Sequence, residues 1–299
     1  MYKKGCKDRA MVKQIQEALG VTVDGVFGLK TEAAVLRFQS NKGLVADGIV
    51  GRNTLEELGI LDTDNQGNLH YKTDNGLVIT RHFLPKGEYI KNDYPILNDY
   101  LFFHHTAGWN NPFKVIDSWG RDDRGRVATE FVIGGQNIKN GDDKHDGTVV
   151  QAFPDGCQGW HLGATGSYYM NRHSVGIELN AFGYLDDENK TYVGTKAHPS
   201  QIVELEEEFR GKTKWHRYSD AQLKSLEKLI IYIANRDNID LEVGIIKWIH
   251  EQGPTAAFGF QQDAYEGKVK GLLTHTNVRK NKTDCFPQPE LVDMLLSLV

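Results

Sequence analysis

Three short stretches carry side chains that can do chemistry together. "LFFHHTAG" (101–108) ends an apolar run with two adjacent histidines, "SVGIEL" (174–179) sets Glu178 among apolar neighbours, and "HTNVRKNKTD" (275–284) gathers His275, Lys282 and Asp284. Imidazole and carboxylate are metal ligands and proton carriers, and an ammonium group steadies negative charge. Each stretch also has an ordinary reading. A histidine at a strand end is commonly packed or hydrogen-bonded. Glu178 shares a strand face with Gly176 and Asn180, opposite Val175, Ile177 and Leu179, so it can simply face water. Lys282 and Asp284 in "RKNKTD" suit a solvated loop. Side chains alternate faces along a strand, so only one of His104 and His105 can face a given site. Spacing alone leaves these alternatives open.

The elements that must position these groups are short strands alternating with helical patterns. Apolar runs at 100–105, 128–135, 147–153 and 174–180 read as strands. Residues 219–236 open with a Ser-x-x-Gln capping box (Ser219, Gln222) and carry Leu223, Leu226, Ile230 and Ile233 on one helical face. Further helices are expected over "NPFKVIDSW" and "QPELVDMLLSLV". The sum is an α/β fold, a mixed central sheet flanked by helices.

At 299 residues, 39% hydrophobic and 25% charged, the chain has room for one large domain with a smaller companion. A net charge of -5 offers no basic stripe for phosphates, which sets nucleic acid aside as a partner. The longest apolar segment, 229–234, is far too short for a bilayer span, and "MYKKGCKDRAMVKQ" lacks the apolar block of an export signal. Membrane insertion is not expected, and a monomer is. Cys6, Cys157 and Cys285 are few and odd in number, which argues against a disulfide framework.

An Asp-Gly-x-x-Gly-x-x-Thr pattern recurs after 23 residues, in "VDGVFGLKTEAAV" (23–35) and "ADGIVGRNTLEEL" (46–58). The glycines suit tight loops, and Thr31 and Thr54 are placed to cap the helices that follow. With an earlier helix carrying Val12, Ile15 and Leu19, this makes a three-helix module. The segment "VKQIQEALGVTVDGVFGLKTEAAVLRFQSNKGLVADGIVGRNTLEEL" resembles the peptidoglycan-binding domain appended to cell-wall hydrolases, down to Phe38-Gln39. That resemblance implies a tether raising an enzyme's effective concentration at an insoluble substrate.

"FFHHTAG", "VGIEL" and the His275, Lys282, Asp284 cluster, with "DGTVVQAF", "GWHLG" and "NRHSVGIELN", resemble the zinc-dependent N-acetylmuramoyl-L-alanine amidases of the phage lysozyme and peptidoglycan-recognition superfamily. The resemblance implies Zn2+ held by His104, His275 and Asp284. It implies Glu178 as the group that takes a proton from water and returns it to the leaving nitrogen, and Lys282 as the support for the oxyanion. Cys285 is the alternative third ligand, because some relatives place cysteine there. His105, Glu130 and His161 are candidate substrate contacts. The implied reaction is hydrolysis of the amide between N-acetylmuramic acid and L-alanine of peptidoglycan. The alternative is a non-catalytic recognition protein of the same fold, disfavoured by the presence of a third ligand. A phage endolysin, made in a host cytoplasm and then acting on the wall, fits the architecture; a secreted bacterial enzyme is the other setting. The expected organisation is a peptidoglycan-binding domain over 1–60, a linker over 61–76 and the catalytic domain over 77–299, with 184–218 and 241–274 as insertions around the cleft.

Overall fold

The computed structural model of the chain describes residues 2–6, 8–63, 69–92, 96–163 and 166–299. The chain divides into two compact units, Met1–Arg81 with Asn235–Asp237, and His82–Ala234 with Asn238–Val299.

In the first unit, α1 (Arg9–Ala18), α2 (Leu29–Asn41) and α3 (Arg52–Glu57) enclose Val12, Ile15, Phe27, Val35 and Leu55. The repeat has a physical basis that differs from helix capping. Gln16 donates to Asp24 Oδ1, the Val26 carbonyl and Thr31 Oγ1 at 2.8–3.1 Å, while its own oxygen accepts from the Gly25 N–H at 2.8 Å. Gln39 repeats this with Asp47, the Ile49 carbonyl, Thr54 and the Gly48 N–H. The N-caps are Gly28 and Gly51, without side-chain capping bonds. Thr31 and Thr54 sit inside the first turn as acceptors for the buried glutamine amides, which corrects the expected capping role.

Residues 61–76, expected as an aperiodic linker, carry β1 (Leu61–Thr63) and β2 (Leu69–Lys72), followed by β3 (Val78–Arg81). The three pair antiparallel, with Leu61 opposite Tyr71 and Tyr71 opposite Ile79, all three buried. One apolar residue every other position over so few residues gives little signal in the sequence. Residues 64–68 lie outside the described ones.

The second unit begins with β4 (Ile90–Lys91), which pairs with β8 (Cys157–Gln158). Its central sheet runs β7 (Val149–Gln151), β6 (Phe131–Ile133), β9 (Ser174–Leu179), β5 (Tyr100–His105), β12 (Gly271–Thr274). The last four of these are mutually parallel, and β7 is antiparallel to β6. All six residues of β5 are buried, as a central strand covered on both faces requires. A hairpin, β10 (Ile202–Phe209) and β11 (Lys212–His216), turns at Arg210 and Gly211, both with positive φ. The helices are α4 (Pro112–Trp119), α5 (Tyr168–Arg172), α6 (Asp220–Asp237), α7 (Ile245–Gln252), α8 (Pro254–Ala257), α9 (Gln262–Tyr265), α10 (His275–Val278) and α11 (Pro289–Leu296). α6 has the expected capping box at Ser219 and Gln222, and Leu223, Leu226, Ile230 and Ile233 are buried. Asn238 in the left-handed region ends it.

The segment 241–274 is not wholly an insertion, because its last four residues form β12, a strand of the central sheet. Within the same segment Ala257 and Phe258 are fully buried, and Phe258 meets Phe103 edge to face at 6.3 Å.

Candidate active site

Strand register assembles the site. His104 stands opposite Glu178 on β9, and Thr274 stands opposite Phe103, so His275, one residue on, comes level with His104. The three groups therefore meet at the carboxyl ends of parallel strands, where α/β sheets place their sites. α10 begins at His275, after a capping box between Thr274 and Asn277 that fixes its first turn.

Asp284 arrives from the loop after α10. Its Oδ2 lies 3.1 Å from His104 Nδ1 and 3.0 Å from His275 Nδ1. The two imidazoles meet nearly edge to face, centroids 4.7 Å apart. Ligand atoms of His104, His275 and Asp284 all lie within 4.8 Å of one another, close enough to share a metal ion. Burial holds His104 near pKa 4, against the Asp284 hydrogen bond that would raise it, so the ring is neutral at pH 7. Burial disfavours the Asp284 carboxylate, yet the two histidines, by charge and hydrogen bond, keep its pKa well below the ordinary value. Burial and the nearby Asp284 charge push Glu178 well up, with Lys282 pulling the other way. Its Oε2 is buried without a hydrogen-bond partner.

The loop bearing Lys282 and Asp284 is anchored from below. Phe286 stacks on Trp215 at 4.5 Å and on Tyr218 at 4.7 Å. Gln288 exchanges two hydrogen bonds with the Tyr218 backbone, at 2.7 and 2.9 Å. At the hairpin tip Arg210 donates to the carbonyls of Lys280 (2.7 Å) and Thr276 (3.3 Å), bracing the chain between His275 and Asp284. Residues 184–218 thus buttress the loop that carries Asp284.

The remaining candidates fall elsewhere. His105 points to the opposite sheet face, buried, with Nδ1 2.8 Å from the Tyr218 hydroxyl and Gly183 closing over Nε2. Cys285 is buried beside Tyr218, with its thiol pKa raised by that burial, and it is Asp284 that reaches both histidines. Glu130 is buried beside Gln151, whose amide donates to it at 3.3 Å. His161 packs behind His104, its Nδ1 3.0 Å from His104 Nε2 and its Nε2 2.7 Å from Ser174 Oγ. Ser174 is not among the residues the sequence singles out, whereas Gly176, a glycine inside a strand, signals close approach. A Cβ at Gly176 would lie 2.8 Å from Thr129 Cγ2 and 3.0 Å from His161 Cγ.

Two histidines and a carboxylate gathered at the carboxyl ends of parallel strands could hold a metal ion, and family comparison places the chain. Residues 92–285 match the N-acetylmuramoyl-L-alanine amidase family, and residues 8–58 match a putative peptidoglycan binding domain. The chain belongs to the N-acetylmuramoyl-L-alanine amidase family, and it is a peptidoglycan hydrolase. No curated protein is a match. Among solved structures the chain is similar to a selenomethionine derivative of AmpD, at 16% identity and TM-score 0.39, over 72% of this chain and 93% of that one. It is similar to the catalytic domain of XlyA at 15% identity and TM-score 0.38, over 74% and 95%. A third is AmiD from E. coli, solved with anhydro-N-acetylmuramic acid-L-Ala-D-gamma-Glu-L-Lys, at 20% identity and TM-score 0.30, over 53% and 55%.

Proposed function

We propose that the amidase works through Zn2+ held by His104, His275 and Asp284. The supporting observation is the convergence of two Nδ1 atoms on one carboxylate oxygen at 3.0 and 3.1 Å. Tetrahedral bonds of about 2.0–2.1 Å to zinc set neighbouring ligand atoms roughly 3.3 Å apart, close to both of these histidine–carboxylate separations. Two neutral imidazoles and one carboxylate are also the donor set of open catalytic zinc sites. When bound, zinc lowers the pKa of water towards about 7 and polarises the amide carbonyl.

The chain's own groups supply the rest. Glu178 takes the proton of the attacking water and delivers it to the L-alanine nitrogen as the amide breaks. Lys282 steadies the negative oxygen of the tetrahedral intermediate. Residues 1–60 act as the wall-binding unit and keep the enzyme on an insoluble polymer. That pairing supports the role of a phage endolysin acting on the host wall. Incubating purified sacculi with the protein, with and without a chelator, tests the reading by mass spectrometry. Stem peptides with free L-alanine amines, appearing only without chelator, are expected; new reducing sugars, or full activity under chelation, would refute it.

A further inference from the structure

His104 and His275 differ in what stands behind them. The Nε2 of His275 is buried without a hydrogen-bond partner, whereas that of His104 meets His161 Nδ1 at 3.0 Å, and His161 Nε2 meets Ser174 Oγ at 2.7 Å. The two rings stand at 86°, centroids 5.1 Å apart, and Phe102 flanks His161 at 5.6 Å. Ser174, Gly176 and Glu178 alternate along β9 on the face that carries His104, so one strand supplies the end of the chain, the space for His161 and the proposed proton carrier. Only glycine at 176 leaves that space.

A neutral imidazole has one N–H and one lone pair, so the chain of contacts can run in two directions. In the outward one, His104 Nε2–H donates to His161 Nδ1, and His161 Nε2–H donates to the Ser174 hydroxyl oxygen. His104 Nδ1 then presents a lone pair beside Asp284. In the inward one, the Ser174 O–H donates to His161 Nε2, His161 Nδ1–H donates to His104 Nε2, and His104 Nδ1–H donates to Asp284. Both directions carry the same number of protons. Metal ligation selects the outward one, and His161 is the acceptor that makes it available.

We propose that His161, backed by Ser174, is a positioning residue that presents His104 to the metal through Nδ1 rather than a contact for substrate. The proposal rests on the zinc reading above. Zinc affinity measured by competition with a chromogenic chelator tests it on the full chain, with thermal unfolding of each apoprotein as a control. His161→Phe removes the acceptor at similar size, and its zinc Kd is expected to rise about 10–100-fold; the apoprotein, with His104 Nε2 and Ser174 Oγ left unpaired, is expected to unfold a few degrees lower yet to be folded at the assay temperature. His161→Asn puts an amide oxygen near the place of Nδ1 and is expected to restore most of the affinity. Nitrogen-15 NMR of the zinc-loaded wild type is expected to find the His104 proton on Nε2. Zinc affinity in His161→Phe within twofold of wild type overturns the proposal, as does His161→Asn binding as weakly as His161→Phe. Should His161→Phe not fold, Ser174→Ala decides, since wild-type affinity there overturns the chain. A wild type that takes up no zinc at all refutes the zinc reading itself, a distinguishable failure.

Discussion

Replacing His104 by alanine removes one of three proposed protein ligands, and zinc in the purified protein, measured by elemental analysis, is expected to fall to background. Amidase turnover should drop about a thousandfold, equivalent to roughly 4 kcal/mol of transition-state stabilisation. His105→Ala, one position away, should keep its zinc and instead lose about 1–3 kcal/mol of stability in a denaturant titration, because it abandons the buried Tyr218 hydroxyl. The same contrast holds next door: Asp284→Asn should release the metal, and Cys285→Ser should retain it, since the thiol lies by Tyr218. Equal zinc content within either pair would overturn these assignments. Strand alternation announces that the paired histidines in "FFHHTAG" do different work, but the choice between them comes from what faces each strand side. Adjacent letters cannot carry that information. His161 shows the same limit: its type invites a role in the cleft, while its partner Ser174 lies 13 positions on along the chain.

At the scale of elements, β5 was legible as an apolar run ending in two histidines, and β9 as Val175, Ile177 and Leu179 alternating with Gly176 and Glu178. β12 was not, as "GLLT" is four residues long and follows a stretch dense in glycine and charge. Periodicity is weak over such a length. The hairpin β10–β11 was likewise hidden inside a polar segment, yet Arg210, Trp215 and Tyr218 in and just beyond it fix the loop holding Asp284. Arg210→Met should therefore weaken zinc binding several-fold although Arg210 is not among the proposed ligands; unchanged affinity would assign the hairpin to stability alone. In the first unit the repeated glutamine networks account for why Asp, Gly and Thr recur at fixed spacing. Gln39→Leu strands the Gly48 N–H and the Thr54 hydroxyl, and should destabilise that unit by about 2–3 kcal/mol while leaving turnover on soluble muropeptides unchanged. A loss of that turnover would contradict the division of labour.

Across the whole molecule, acid sensitivity follows from buried neutral histidines. Burial lowers His216 to about pKa 3, and its Nδ1 accepts the Phe182 N–H at 3.0 Å. The unfolded chain binds a proton there near pH 6.5 while the folded chain does not, so this contribution to stability is complete above about pH 6.5 and is lost as pH falls towards 3. With chelator present to remove metal linkage, the unfolding free energy should decline over that window, and His216→Gln, which can still accept from Phe182, should flatten the decline. A slope identical to wild type would exclude His216 as a cause. The α/β class was readable from pattern, whereas the order of strands, which decides what meets what, was not. That order has a consequence for the making of the protein. His104 and Glu178 leave the ribosome long before β12, His275 and Asp284 follow. A nascent chain thus lacks two of the three proposed ligands until residues 275–284 emerge, so translation products that stop before them should bind no zinc and leave peptidoglycan uncut.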